Sequence, residues 1–188
     1  MALFGGKLHE AERFLEPGVS GDLERNDMFV AAHKLVGLAE IHLLRGDAGA
    51  AANAAERALA LSDDMAIRFS AALVRLKTGD GRGAMELAER LASEDDSESK
   101  ALADVLHAEA LLDEGNPKAA IRILLGAREI ADTWLGRYAL GRAYLEAEAF
   151  LRQTRSWTRA SGAEGKRPLF FSTTSQRSVS SRVLLPGR

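Results

Sequence analysis

Residues 32–61 read AHKLVGLAEIHLLRGDAGAAANAAERALAL, an Ala-rich apolar run, a Gly-Asp break and a second Ala-rich run. In the first run Leu35, Leu38, Ala39 and His42 recur at three- and four-residue steps, the spacing that places side chains on one face of a helix. Gly46 stops that helix, and Asp47 supplies a side chain able to cap the next one. The second run carries Ala51, Ala55 and Ala58 on one face. Side chains this small let two helix backbones approach closely, so a larger one would overpack the contact at a cost of about 1–3 kcal/mol. The stretch predicts a hairpin of two short helices.

The same phrase recurs. The breaks Gly46-Asp47, Gly79-Asp80 and Gly115-Asn116 stand 33 and 36 residues apart, a period typical of arrays built from helix pairs. Around the second break, a helix over Met65–Thr78 with Ala72 at the small position precedes a stripe of Ala84, Ala88 and Leu91. Around the third, a helix near Ser99–Glu114 with Ala108 precedes Ala120, Leu124 and Ala127. Asn116-Pro117 there combines an N-cap with proline at the first helical position. The acidic stretch from Glu94 to Glu98 accounts for the longer spacing and predicts an exposed linker. Ahead of the array, Lys7–Glu16 predicts a short amphipathic helix ended by Pro17-Gly18, with Asn26 or Asp27 capping the helix that follows. Residues 1–27 are thus expected to form a short helix and a linker, the remnant of a preceding repeat.

A fourth first helix carries Trp134, Leu140-Gly141 and Tyr144. This W-x5-L-G-x2-Y pattern, with the small-residue second helices of the preceding units, resembles the tetratricopeptide repeat over roughly residues 32–150. The resemblance implies an all-α fold, a right-handed α-solenoid of antiparallel helix hairpins. Three full repeats and the first helix of a fourth would occupy residues 28–150. The second and third repeats depart from the pattern in lacking a large residue at the start of the first helix. Asp63 and Asp132 stand where the family closes a repeat with proline.

The resemblance further implies a protein–protein interaction scaffold whose concave groove is lined by four register positions of each first helix. Carried over, these are His33, Val36, Glu40 and Leu43 in the first repeat, and Ala66, Phe69, Leu73 and Leu76 in the second. The third contributes Leu102, Val105, Glu109 and Leu112, the fourth Leu135, Tyr138, Arg142 and Leu145. Val36 and Glu40 occupy two places of the Lys and Asn set with which some family members clamp the C-terminal carboxylate of heat-shock chaperones. That partner class is therefore not expected. An apolar groove with acidic spots at Glu40, Glu109 and Asp113 suits an amphipathic or basic helix or an extended peptide. Many bacterial arrays of this kind form the sensory or docking part of larger kinases or transcriptional regulators, so the resemblance allows either a fragment of such a protein or a free-standing adaptor.

Charge is unevenly distributed. Residues 1–150 carry 17 basic and 26 acidic side chains, whereas residues 151–188 carry 8 basic and 1 acidic. The basic, Ser- and Arg-rich tail allows a rival function, nucleic-acid binding through residues 151–188. It also breaks the repeat. A second helix after Tyr144 calls for small, apolar and small residues, and the chain offers Gln153, Trp157 and Ala160. Shifting the reading frame by one base permits alanine, leucine and cysteine at those three places. Beyond them it permits a segment resembling the end of many bacterial arrays. Residues 151–188 are expected to be disordered or out of frame.

Other classes find no support. The chain has no cysteine, which removes disulfides, thiolate zinc sites and cysteine nucleophiles. No apolar run reaches the roughly 18–20 residues of a membrane span, and Met1–Gly6 lacks the charged and apolar regions of a signal peptide. A cytoplasmic protein is expected. His107-x-Glu109 lacks the downstream P-C-x-x-C of zinc deaminases. His9-Glu10 is followed by Arg13 where an H-E-x-x-H metal site needs histidine. His33 and His42 do not share a helix face as ligands would. Gly79-Asp80-Gly81-Arg82-Gly83 follows a helix and lacks the Gly-Lys-Ser/Thr ending of a phosphate loop, so it reads as an inter-helix turn. No enzyme activity, metal, cofactor or small-molecule substrate is expected; the expected partner is a protein or peptide.

Overall fold

A computed structural model of the chain describes residues 7–160, with side chains as far as Glu148. The chain divides into two units, Met1–Phe150 and Leu151–Arg188. Eight helices and no strand occur among the described residues: α1 (Leu8–Glu24), α2 (Met28–Leu44), α3 (Ala48–Leu61), α4 (Met65–Thr78), α5 (Gly81–Ala92), α6 (Ser97–Asp113), α7 (Pro117–Ile130) and α8 (Trp134–Ala160). The described part of the chain is all-α. None of these helices is long and apolar enough to cross a membrane. From α1 to α7 each helix packs on the next, and α4 also touches both α2 and α6.

The turns follow from local chemistry. Gly46, Gly79 and Gly115 have φ of 78°, 91° and 73°, the left-handed conformation that ends a helix at low steric cost in glycine. At each, two backbone N–H groups return to the preceding helix, as Gly79 N to Leu76 O at 3.1 Å and Asp80 N to Arg75 O at 2.9 Å. The residue after each glycine then caps the next helix. Asp47 accepts from Ala50 N at 2.9 Å, Asp80 from Gly83 N at 3.0 Å and Asn116 from Ala119 N at 3.3 Å. Asp27, Asp64 and Asp96 cap α2, α4 and α6 in the same way, each worth about 1 kcal/mol over alanine.

Small residues form the core contacts between helices. Ala51, Ala58, Ala72, Ala84, Ala88, Ala108 and Ala120 are 0 % exposed, with Leu35, Leu91, Leu106 and Leu124 among the larger side chains packed with them. The stripes read from the sequence are therefore buried ones. The Gly79–Gly83 segment holds the turn between α4 and α5, Gly79-Asp80, and the first residues of α5, and it is tight. A Cβ on Gly83 would stand 2.1 Å from Asp80 Oδ2 and 2.6 Å from Arg75 Nη1. Glycine leaves the space through which Arg75 reaches the Gly83 carbonyl at 3.2 Å and Glu56 at 3.1 Å.

Three expectations need correction. First, α1 does not end at Glu16: it runs through Pro17 to Glu24. Pro17 forfeits one helical hydrogen bond at roughly 3 kcal/mol, but the second half of α1 is held by α2. Val19 and Asp22 are buried there, and Lys34 reaches Asp22 Oδ2 at 2.5 Å and the Gly18 carbonyl at 3.3 Å. The expected linker shrinks to a turn. In it Asn26, at φ 59°, does what glycine does at the later breaks, with Asn26 N bonded to Leu23 O and Asp27 N to Asp22 O.

Second, the acidic stretch is only partly a linker. Ser97 and Glu98 begin α6, Asp96 caps it, and Glu94 pairs with the buried Arg68 at 2.7 Å. Third, helix does not stop at Phe150: residues 151–160 continue α8. No Gly, Pro or Asn lies between Leu151 and Ala160 to end it. The helix bears on neither the shifted frame nor the nucleic-acid binding expected of residues 151–188, and the disorder expected of the rest of the tail falls on residues 161–188, outside the described residues.

Candidate functional site

A cleft of about 460 Å³ opens along α2, α4, α6 and α8, the four helices read as first helices of the repeats. Eight of the expected groove residues line it: Glu40 and Leu43 from α2, Phe69 and Leu73 from α4, Val105 and Glu109 from α6, Tyr138 and Arg142 from α8. Leu135, expected from the same register, lines it too. Phe69 and Val105 are buried and form its floor, whereas Tyr138 is 61 % exposed and stands on its rim. Leu43 and Leu73 are half-buried between these levels.

Seven of the sixteen expected residues lie outside this lining, among them Ala66 and Leu145, which are exposed, and Leu102, which is buried in the core. His33 is exposed and turned to its own helix, where Nδ1 donates to the Phe29 carbonyl at 3.0 Å and the ring meets Phe29 at a centroid distance of 4.4 Å. Val36 and Leu76 are half-buried against the hydrophobic core, and Leu112 is buried within it. Packing inside the helix array claims these side chains. Conversely, Leu44, Ser70, Val74, Lys77 and Ala139 line the cleft without having been read from the sequence. Lys77 had a signal: it lies one helical turn beyond Leu73, as Leu44 lies one turn beyond Glu40.

Charges within the cleft pair across helices. Arg142 Nη1 donates to both carboxylate oxygens of Glu109, at 3.0 and 2.9 Å, and Nη2 reaches Glu146 at 3.2 Å. Burial opposes the charge on Arg142, yet the Glu109 charge and the hydrogen bonds to Glu146 and Glu109 outweigh it and raise its pKa. Lys77 Nζ bonds Asp113 at 2.7 and 3.0 Å and stands 3.8 Å from Glu109. Glu109 itself is 4 % exposed. The two acidic spots expected at Glu109 and Asp113 are therefore already neutralised by cations of neighbouring helices.

Glu40 is different. It takes part in no hydrogen bond or ion pair among the described residues. Its carboxyl opens to solvent at the cleft mouth, and the flanking walls displace enough water to push its pKa above the usual carboxylate value. A second cleft, of about 340 Å³, lies among α1, α2 and α3 beside Glu16, His42, Asn53 and Arg57. Among the described residues no cluster of His, Cys, Asp or Glu is arranged to hold a metal ion. No protein-family model matches the chain, and no curated protein and no solved structure matches it either.

Proposed function

We propose that this chain is a protein–protein interaction scaffold, a tetratricopeptide-like array that holds a peptide or helix of a partner in the cleft along α2, α4, α6 and α8. One observation carries the reading: residues drawn from four helices at one repeating register line the same cleft. An apolar floor with a few fixed charges at its rim is the arrangement with which helical grooves take an amphipathic segment. Two further features support a repeating array. The turns after α2, α4 and α6 share one hydrogen-bond pattern, and α4 contacts α2 and α6 as well as its sequence neighbours. The role is binding rather than catalysis, and it fits a docking segment of a larger signalling regulator.

Selection of peptides from a random phage-displayed library on the purified chain tests the reading. Selected peptides are expected to lose binding to Leu73→Asp, which puts a charge on the half-buried wall of the cleft. They should keep it with Arg57→Ser, which lies away from that cleft. Peptides that bind Leu73→Asp as well as the parent, or a selection that yields no binder, would overturn it.

A further inference from the structure

The cleft carries four charged side chains, Glu40, Lys77, Glu109 and Arg142. Three of them are committed. Arg142 and Lys77 converge on Glu109 from α8 and α4, and each also pairs with a second carboxylate, Glu146 and Asp113 respectively. Such pairs are fixed by several hydrogen bonds at once, so an incoming group would have to displace an internal partner to use them. Glu40 has no such partner.

Its surroundings define what it would accept. Leu43 and Leu44 lie on the turn of α2 that follows it, and Phe69 and Leu73 face the same cleft from α4. A carboxylate beside apolar walls loses hydration without gaining a counter-charge, which is the reason its pKa is raised. A cation placed there restores the lost interaction, and apolar groups beside it cover the leucines. A neutral peptide would leave Glu40 further desolvated and unpaired, and an acidic one would add repulsion.

We infer that the partner segment is amphipathic and carries one cationic side chain, lysine or arginine, seated on Glu40 between apolar residues that pack on Leu43, Leu73 and Phe69. A polybasic segment is not the match, because the other acids of the cleft are already paired. This inference rests on the cleft being the binding site and adds the chemistry of the occupant.

Peptides selected on the parent chain, and selected afresh on Glu40→Gln and Glu40→Lys, decide it. Glu40 is exposed, so both variants are expected to keep the parent's circular dichroism spectrum and unfolding midpoint. The parent should select sequences with one Lys or Arg flanked by apolar residues. Such a peptide should bind Glu40→Gln about tenfold more weakly, and Glu40→Lys should select Asp or Glu at the same place. The same consensus on all three chains, still sensitive to Leu73→Asp, would overturn the inference while leaving the cleft as the site. Peptides indifferent to Leu73→Asp would instead remove the cleft reading beneath it. Multiple basic residues in the selected peptides would also count against it.

Discussion

Arg142 on α8 grips Glu109 on α6 through both carboxylate oxygens, at 3.0 and 2.9 Å, within the candidate cleft. Glu109 is 4 % exposed, so its charge is tolerable only because Arg142 and Lys77 answer it. Breaking a buried pair by removing one partner costs about 3–5 kcal/mol. The cost here is smaller, because Arg142 is partly solvated and retains Glu146. Glu109→Ala is expected to lose roughly 2–3 kcal/mol of unfolding free energy in urea titrations. The double variant Glu109→Met, Arg142→Met should recover much of that loss, since neither charge is then left unpaired. A double variant as unstable as the sum of its singles would show that the pair does not couple.

Gly79 and Asn26 occupy equivalent turns with different residues. Both have positive φ, 91° and 59°. No atom lies within 4 Å of a Cβ built on Gly79, so the penalty for Gly79→Ala comes from backbone conformation alone and is expected near 1–2 kcal/mol. Asn26 already pays for a side chain in that conformation. Asn26→Gly should therefore be neutral or stabilising, by up to about 1 kcal/mol. Thermal midpoints moving in the same direction for both variants would contradict this account.

Much of the helix array was legible because its signals are local. Gly-Asp and Gly-Asn pairs mark the left-handed stop and the cap that follows it, and both jobs are done by adjacent residues. The register of Glu40, Phe69, Leu73 and Glu109 came instead from the resemblance to the tetratricopeptide repeat, which implies those positions on each first helix. What escaped depends on partners distant in sequence. Pro17 argued for an end to α1, and only the docking of Val19 and Asp22 on α2 overrides it. Asn26 did not stand out as a break because asparagine visits the left-handed region less freely than glycine. Glu109 and Asp113 looked like free acids, since nothing local reveals that Lys77 lies across the cleft from one helix and Arg142 from another.

Acid should act on stability in two stages. Hydrogen bonding by Lys34, with the charges of Lys34 and Arg25, holds the Asp22 carboxyl below its ordinary value. The Ser99 N–H does the same for Asp96, and Arg137 for Asp132. The unfolded chain binds protons at these sites before the folded one does. Their stabilisation is thus complete above about pH 4 and is lost as pH falls through the lowered values. Burial raises the pKa of Glu40 and of Asp104, in the latter case against a smaller opposing effect of His107. The folded chain takes up those protons first, so stability should rise as pH falls through the raised values. Urea midpoints are expected to pass through a shallow maximum near pH 4–5 and then drop. Asp22→Asn should flatten the drop; an unchanged acid limb in that variant would rule out Asp22 as a contributor.

Ala58 and Ala60 sit two residues apart on α3 and face opposite environments. Ala58 is 0 % exposed, within the stripe of small residues that sets helix separation, whereas Ala60 is exposed. Leucine at either place has nearly the same helix propensity, so a comparison isolates packing. Ala58→Leu forces extra methylene groups into a contact closed by alanines, and about 1–3 kcal/mol of destabilisation is expected. Ala60→Leu should stay within about 0.5 kcal/mol of the parent. The two variants also separate stability from binding: because α3 does not line the cleft, Ala60→Leu should leave peptide affinity unchanged. Overpacking at Ala58 pushes α3 away from the helices it packs on, α2 and α4, both of which line the cleft. Ala58→Leu should therefore weaken peptide binding under conditions where the chain remains folded. Equal unfolding midpoints for the two variants would show that the alanine stripe does not set the spacing of the helices.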